Sequence, residues 1–142
     1  MKKIISIILV ALLTVGITFA ETQKRLKLPI DRVYDGDTIM THLKSLKKYA
    51  PLNKISIRLW GIDTPENPAK SYLKTGKLGR ASCVKEAELA LEAKEFLLAF
   101  IGDKKFMVLT EYKWGKFGGR VVAKVIIRGQ DISELMMENG YA

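Results

Sequence analysis

Apolar and polar residues alternate over Lys54-Ile-Ser-Ile-Arg-Leu-Trp60, the period of two expected of a half-buried strand, and this is the clearest strand in the chain. Two runs precede it. Leu26 to Tyr34 reads as a short strand entering an Asp35-Gly36-Asp37 turn, and Ile39 to Leu43 resumes the extended chain. Lys44 to Lys54 is a hairpin-like connection loaded with lysine. Asn67 to Ser82 shows no apolar period and is expected to be a basic, mobile loop. Beyond it, Leu89, Ala93, Phe96, Leu97 and Phe100 recur at helical spacing, with Lys85, Glu88, Glu92 and Glu95 on another face, so a helix ending at Gly102 is predicted. Lys105 to Tyr112 and Gly119 to Arg128 are β-rich runs joined by a glycine-bearing hairpin loop. Asp131 with Glu134 starts a last helix, Ile132 to Glu138, which Asn139-Gly140 stops.

Five short strands, a long helix inserted before the fourth and a short helix after the fifth suit a small closed or partly open barrel. The long helix is expected to cover the sheet as scaffold. No internal repeat, low-complexity tract or second domain is visible.

Residues 1–20 follow a different rule. Met-Lys-Lys precedes an almost wholly apolar run from Ile4 to Phe19, and Thr18 and Ala20 are small residues at the junction with Glu21. That is the pattern of a signal peptide cleaved after Ala20, and its apolar run is shorter than the ~20 residues of a spanning helix. The expected mature domain, 21–142, is therefore exported, secreted or periplasmic, or tethered to a membrane if the leader is kept. Without Lys2 and Lys3 the formal net charge falls from +9 to +7, a basic balance that suits nucleic acid, anionic lipid or cell-wall polymer. Cys83 is the only cysteine, so no internal disulfide exists; it is expected to be a partly buried residue at a helix start. His42 is likewise single, which argues against zinc.

Candidate chemistry gathers at Arg58-Leu-Trp-Gly-Ile-Asp63-Thr64-Pro65-Glu66. Alternation puts Arg58 and Trp60 on one face and Leu59 on the other, and Asp63 falls at the strand end. Pro65 has no N–H and holds Thr64 extended, so Glu66 leaves the ladder from a constrained turn. By itself this is also an ordinary strand followed by an Asp-Thr-Pro turn. Asp35 and Asp37 form a second acidic cluster upstream, and Arg120 opens an apolar run downstream. Asp37 and Asp63 are hard oxygen donors of the kind that suits Ca²⁺, although no EF-hand pattern is present.

Val33-Tyr-Asp35-Gly-Asp37-Thr38, Ile57-Arg58-Leu with Gly61-Ile-Asp63-Thr64-Pro65-Glu66, Lys116-Phe117-Gly-Gly-Arg120 and Asn139-Gly-Tyr-Ala142 stand in one order. Together they resemble the thermonuclease family, the staphylococcal-type nucleases. The resemblance implies a five-stranded OB-fold barrel with one long and one short helix. It implies a calcium-dependent, endonuclease-type hydrolase that cuts DNA and RNA with little sequence preference and leaves 3′-phosphates. Asp37, Asp63 and the carbonyl of Thr64 would bind calcium with Asp35 behind them, Glu66 would be the general base, and Arg58 and Arg120 would hold the phosphate. Phe117 stands where the family usually has tyrosine, which removes a hydrogen bond to substrate. Lys116 and Phe117, with the loop lysines Lys70, Lys74 and Lys77, are expected to contact nucleic acid. The substrates are then the only partners implied, and the chain is expected to be a monomer. The rival reading is a catalytically weak OB barrel that grips single strands, which has no need of Asp37, Asp63, Glu66, Arg58 and Arg120 together.

Overall fold

The computed structural model describes residues 25–43 and 54–142. The expected leader at 1–20 and the lysine-rich connection, with Lys44, Lys47 and Lys48, lie outside the described residues. In chain order the elements are β1 (Leu26–Pro29), β2 (Arg32–Asp35), β3 (Thr38–His42), β4 (Lys54–Leu59), α1 (Tyr72–Thr75), α2 (Val84–Ile101), β5 (Phe106–Trp114), β6 (Arg120–Ile127), β7 (Gln130–Asp131) and α3 (Ile132–Glu138). The fold is mainly a β-sheet with helices.

Its strands run in the order β1-β5-β6-β4-β3-β2, with β7 beside β6. All pairs are antiparallel except β4 with β6, where Ser56 faces Arg120 and Arg58 faces Val122. A parallel pair needs a long crossover, and the segment through α2 and β5 provides it.

Among the described residues seven strands replace the expected five. The run from Leu26 to Tyr34 breaks at Pro29, which cannot donate to a ladder, and the chain bends there. The two halves then serve opposite ends of the sheet: the Ile30 N–H donates to the Lys105 carbonyl at 2.9 Å, and the Asp31 N–H to the Met40 carbonyl at 2.9 Å. No ladder joins β1 to β2, so the hydrogen-bonded sheet is not closed into a barrel. Its two end strands are instead connected by the covalent chain. The expected loop at 67–82 also contains one helical turn, α1, which buries none of its residues.

The core holds the inner residues of the strands, among them Ile39, Ile57, Leu59, Met107, Leu109, Val125 and Ile127, together with Leu97 of α2 and Ile132 and Met136 of α3. Burying one such side chain contributes roughly 1.5–3 kcal/mol. Cys83 caps α2, its sulfur accepting the Glu86 N–H, but it is exposed and not partly buried. The buried face of α2 is Ala87, Ala90, Ala93, Leu97 and Ile101. It is rotated from the expected stripe: Leu89 is exposed, while Phe96 and Phe100 pack at the margin.

The alanines let α2 approach the Asp35-Gly36-Asp37 turn closely. A Cβ on Gly36 would meet the Ala93 Cβ and the Thr64 side chain at 3.0 Å, and Gly36 does not have a left-handed backbone. Glycine is required here for space. Gly36→Ala should therefore cost about 1–3 kcal/mol by overpacking. Gly118→Ala, with nothing near its Cβ, should stay within about 0.5 kcal/mol of the parent. Urea denaturation of both variants checks the contrast, and equal stabilities would refute it.

Candidate active site

Strand register gathers the polar groups on one face. Thr38 pairs with Arg58, Met40 with Ser56 and Ser56 with Arg120, so these side chains project together while Ile39, Ile57, Leu59 and Val121 point into the core. The outward set lines a cleft of about 350 Å³ completed by Tyr34, Asp35, Glu66 and Arg80.

Asp37 does not line the cleft but lies behind Arg58, with a side chain only 2% exposed. Its Oδ1 accepts from Thr38 Oγ1 at 2.9 Å and pairs with Arg58 Nη1 at 2.6 Å. Its Oδ2 accepts from the Thr64 N–H at 2.9 Å and from Thr64 Oγ1 at 3.1 Å. A buried carboxylate is tolerated only when its lone pairs are filled in this way. Arg58 also donates through Nη2 to the exposed Asp63, so one guanidinium spans both carboxylates. Thr64 is itself buried.

Asp35 is buried beside this network, and its Oδ1 has no hydrogen-bond partner. Burial, reinforced by the neighbouring Asp37 charge, pushes its carboxyl up from 3.8 to about 6.

Glu66 stands exposed at the mouth. Its Oε2 pairs with Arg80 Nη2 at 2.9 Å, and its backbone N–H donates to Glu86 Oε1 at 3.3 Å. Glu86, in the first turn of α2, also accepts from the Ser82 N–H and hydroxyl, and these donors hold its carboxyl below the usual range. The loop is thus fastened at both ends to one helix start. Between them the chain closes on itself at Gly79, where φ is +66° and a Cβ would meet the Ala69 nitrogen at 2.5 Å. That closure places Arg80, which sequence reasoning did not single out. Its signal in the sequence is only one basic residue among several.

Arg120 pairs with no carboxylate among the described residues; its guanidinium carbon lies 5.8 Å from the Phe117 ring centre. Phe117 and Lys116 are exposed on the β5–β6 hairpin. Arg58, Glu66, Arg120, Asp37, Asp63 and Thr64 therefore converge on one region. Lys70, Lys74 and Lys77 do not line the cleft, although Lys70 lines a groove next to it.

Which cation these groups suit follows from their donor chemistry. Asp37, Asp63 and the unpartnered oxygen of Asp35 are hard oxygen donors that fit Ca²⁺. No group of three or more His, Cys, Asp or Glu side chains is arranged as a cage among the described residues, so backbone and water oxygens would have to complete the shell. Asp37 and Asp63 are joined through the Arg58 guanidinium, which pairs with both.

Residues 56–142, more than half of the chain, match the family model for the staphylococcal nuclease homologue. No curated protein matches the sequence. A mainly β-sheet with helices of this kind fits an OB-like fold. The match begins in β4 and takes in Arg58, Asp63, Glu66, Arg80 and Arg120; Asp35 and Asp37 lie before it and join the site through geometry.

The shifted Asp35 carboxyl has a consequence for stability without metal. Below about pH 4 the group is protonated in folded and unfolded chains alike, and the folded state keeps its full advantage. As pH rises through about 6, the unfolded chain releases the proton first and stability falls. Asp35→Asn should flatten this interval in urea midpoints measured in chelator at successive pH values. An unchanged slope would remove Asp35 as its cause.

Proposed function

The chain belongs to the staphylococcal nuclease family, and from that premise we propose that it is a calcium-dependent phosphodiesterase acting on DNA and RNA with little sequence preference. One observation carries the reading: a carboxylate, Glu66, and two arginines, Arg58 and Arg120, face a single cleft that the buried Asp35 also lines, and Arg58 pairs behind it with the buried Asp37. A module that only gripped strands would not need that combination.

Phosphodiester hydrolysis requires an activated water and neutralisation of charge on the phosphoryl oxygens. Glu66 lies where an exposed carboxylate can orient a water and accept its proton. Pairing with Arg80 fixes its direction. Arg120, without a carboxylate partner, offers its forked donors to the phosphate. Arg58 lines the same cleft but spends its donors on Asp37 and Asp63, so it contributes fully only when those contacts are exchanged.

Asp37 and Asp63, with the Thr64 carbonyl, would hold the calcium, with Asp35 beside them. A calcium ion bound there would supply positive charge toward the phosphoryl oxygens. Export of the protein is supported by the leader pattern at 1–20.

Purified protein should cut single- and double-stranded nucleic acid in calcium and lose that activity in excess chelator or when magnesium is substituted, since the smaller ion demands tighter octahedral geometry. Glu66→Gln should lower the rate by roughly 10²- to 10⁴-fold with little change in substrate binding. Cleavage by Glu66→Gln at the parental rate would end the general-base assignment, and full cleavage in chelator would end the metal assignment.

A further inference from the structure

A second concavity of about 360 Å³ adjoins the cleft, between β2, α1, α2 and the start of the loop. Tyr34 lines both. Arg32, Lys70 and Lys94 line the groove and no carboxylate does. Tyr72 faces it from α1, and Pro68 and Leu91 supply apolar wall. The Arg32 guanidinium carbon lies 5.9 Å from the Tyr34 ring centre, and Asn67 Nδ2 donates to the Tyr34 carbonyl at 2.9 Å, which ties the residue after Glu66 to β2. Since α1 buries none of its residues, core packing does not account for the position of Tyr72.

A cationic groove with two tyrosines, opening from a cleft that faces phosphate, matches the components of single-strand binding: backbone charge neutralised along a track and base faces laid on aromatic rings. Its volume lies at the low end of small-ligand sites, roughly 300–1,000 Å³, room for a nucleotide unit and not for a duplex. A base within a duplex keeps its faces covered by its neighbours and has none to offer Tyr34 or Tyr72.

We propose that this groove is a subsite for one unpaired nucleotide of the substrate strand, adjacent to the phosphate being cut. The proposal rests on the nuclease reading for the identity of the neighbouring cleft. Stacking on Tyr72 and Tyr34 supplies sequence-tolerant affinity, while Arg32, Lys70 and Lys94 meet the flanking phosphates.

Fluorescence anisotropy with labelled octathymidylate, and with a duplex of equal length, tests it in chelator, where binding is read without cleavage. Tyr72→Ala should weaken binding to the single strand by about five- to a hundredfold, Tyr72→Phe should restore it, and both should bind duplex as the parent does. Lys94→Gln should lower the slope of log affinity against log salt by about 0.7. Parental affinity of Tyr72→Ala for the single strand, equal losses on single strand and duplex, or a parent that does not bind octathymidylate overturns the proposal. Absence of cleavage by the parent in calcium would instead sink the nuclease reading and leave the binding result to decide the groove separately.

Discussion

Keeping the Asp37 carboxylate in the interior is the constraint on which the site depends. An ionised carboxylate removed from water costs several kcal/mol unless it is paired and hydrogen-bonded. Here the compensating donors come from three separate places: Thr38 next in sequence, Thr64 beyond the end of β4, and Arg58 within β4. The Leu59 N–H adds a bond to the Asp37 carbonyl at 2.8 Å. Satisfying one acid therefore fixes the relation of the Asp-Gly-Asp turn to the Asp-Thr-Pro segment. Glu66 is presented from the point where they meet.

Scaffold and site share the same helix. Its alanine face lets α2 lie against the Gly36 turn, and its first turn supplies Glu86, which holds the Glu66 amide and Ser82. A bulkier face would push the helix outward and move both ends of the basic loop with it. The small residues that weaken an amphipathic pattern in the sequence are thus the ones that make the approach possible.

The two arginines on the common face are not equivalent. Arg58 is restrained by two carboxylates, whereas Arg120 pairs with none among the described residues and lies beside the Phe117 ring. Charge in the cleft is nearly balanced internally on one side and open on the other. Arg120 therefore keeps its donors free of carboxylates among the described residues, whereas those of Arg58 are spent on Asp37 and Asp63.

Much of this was legible in the chain itself. Alternation from Lys54 to Leu59 located β4 and the side of Arg58, and the cap residues Cys83, Gly102 and Asp131 bounded two helices, because these signals are local properties of backbone and side chain. The spacing of acids and arginines marked the candidate site. Tertiary structure decided what local pattern does not encode: that Pro29 splits one strand between both ends of a sheet which no ladder closes, that the helix turns its alanines inward and leaves Leu89 in solvent, and that Arg80 comes back to Glu66. Each of these depends on which distant surface a residue meets. Periodicity records only that a residue has an inside and an outside, whereas the partner on the inside is set by packing across the whole fold.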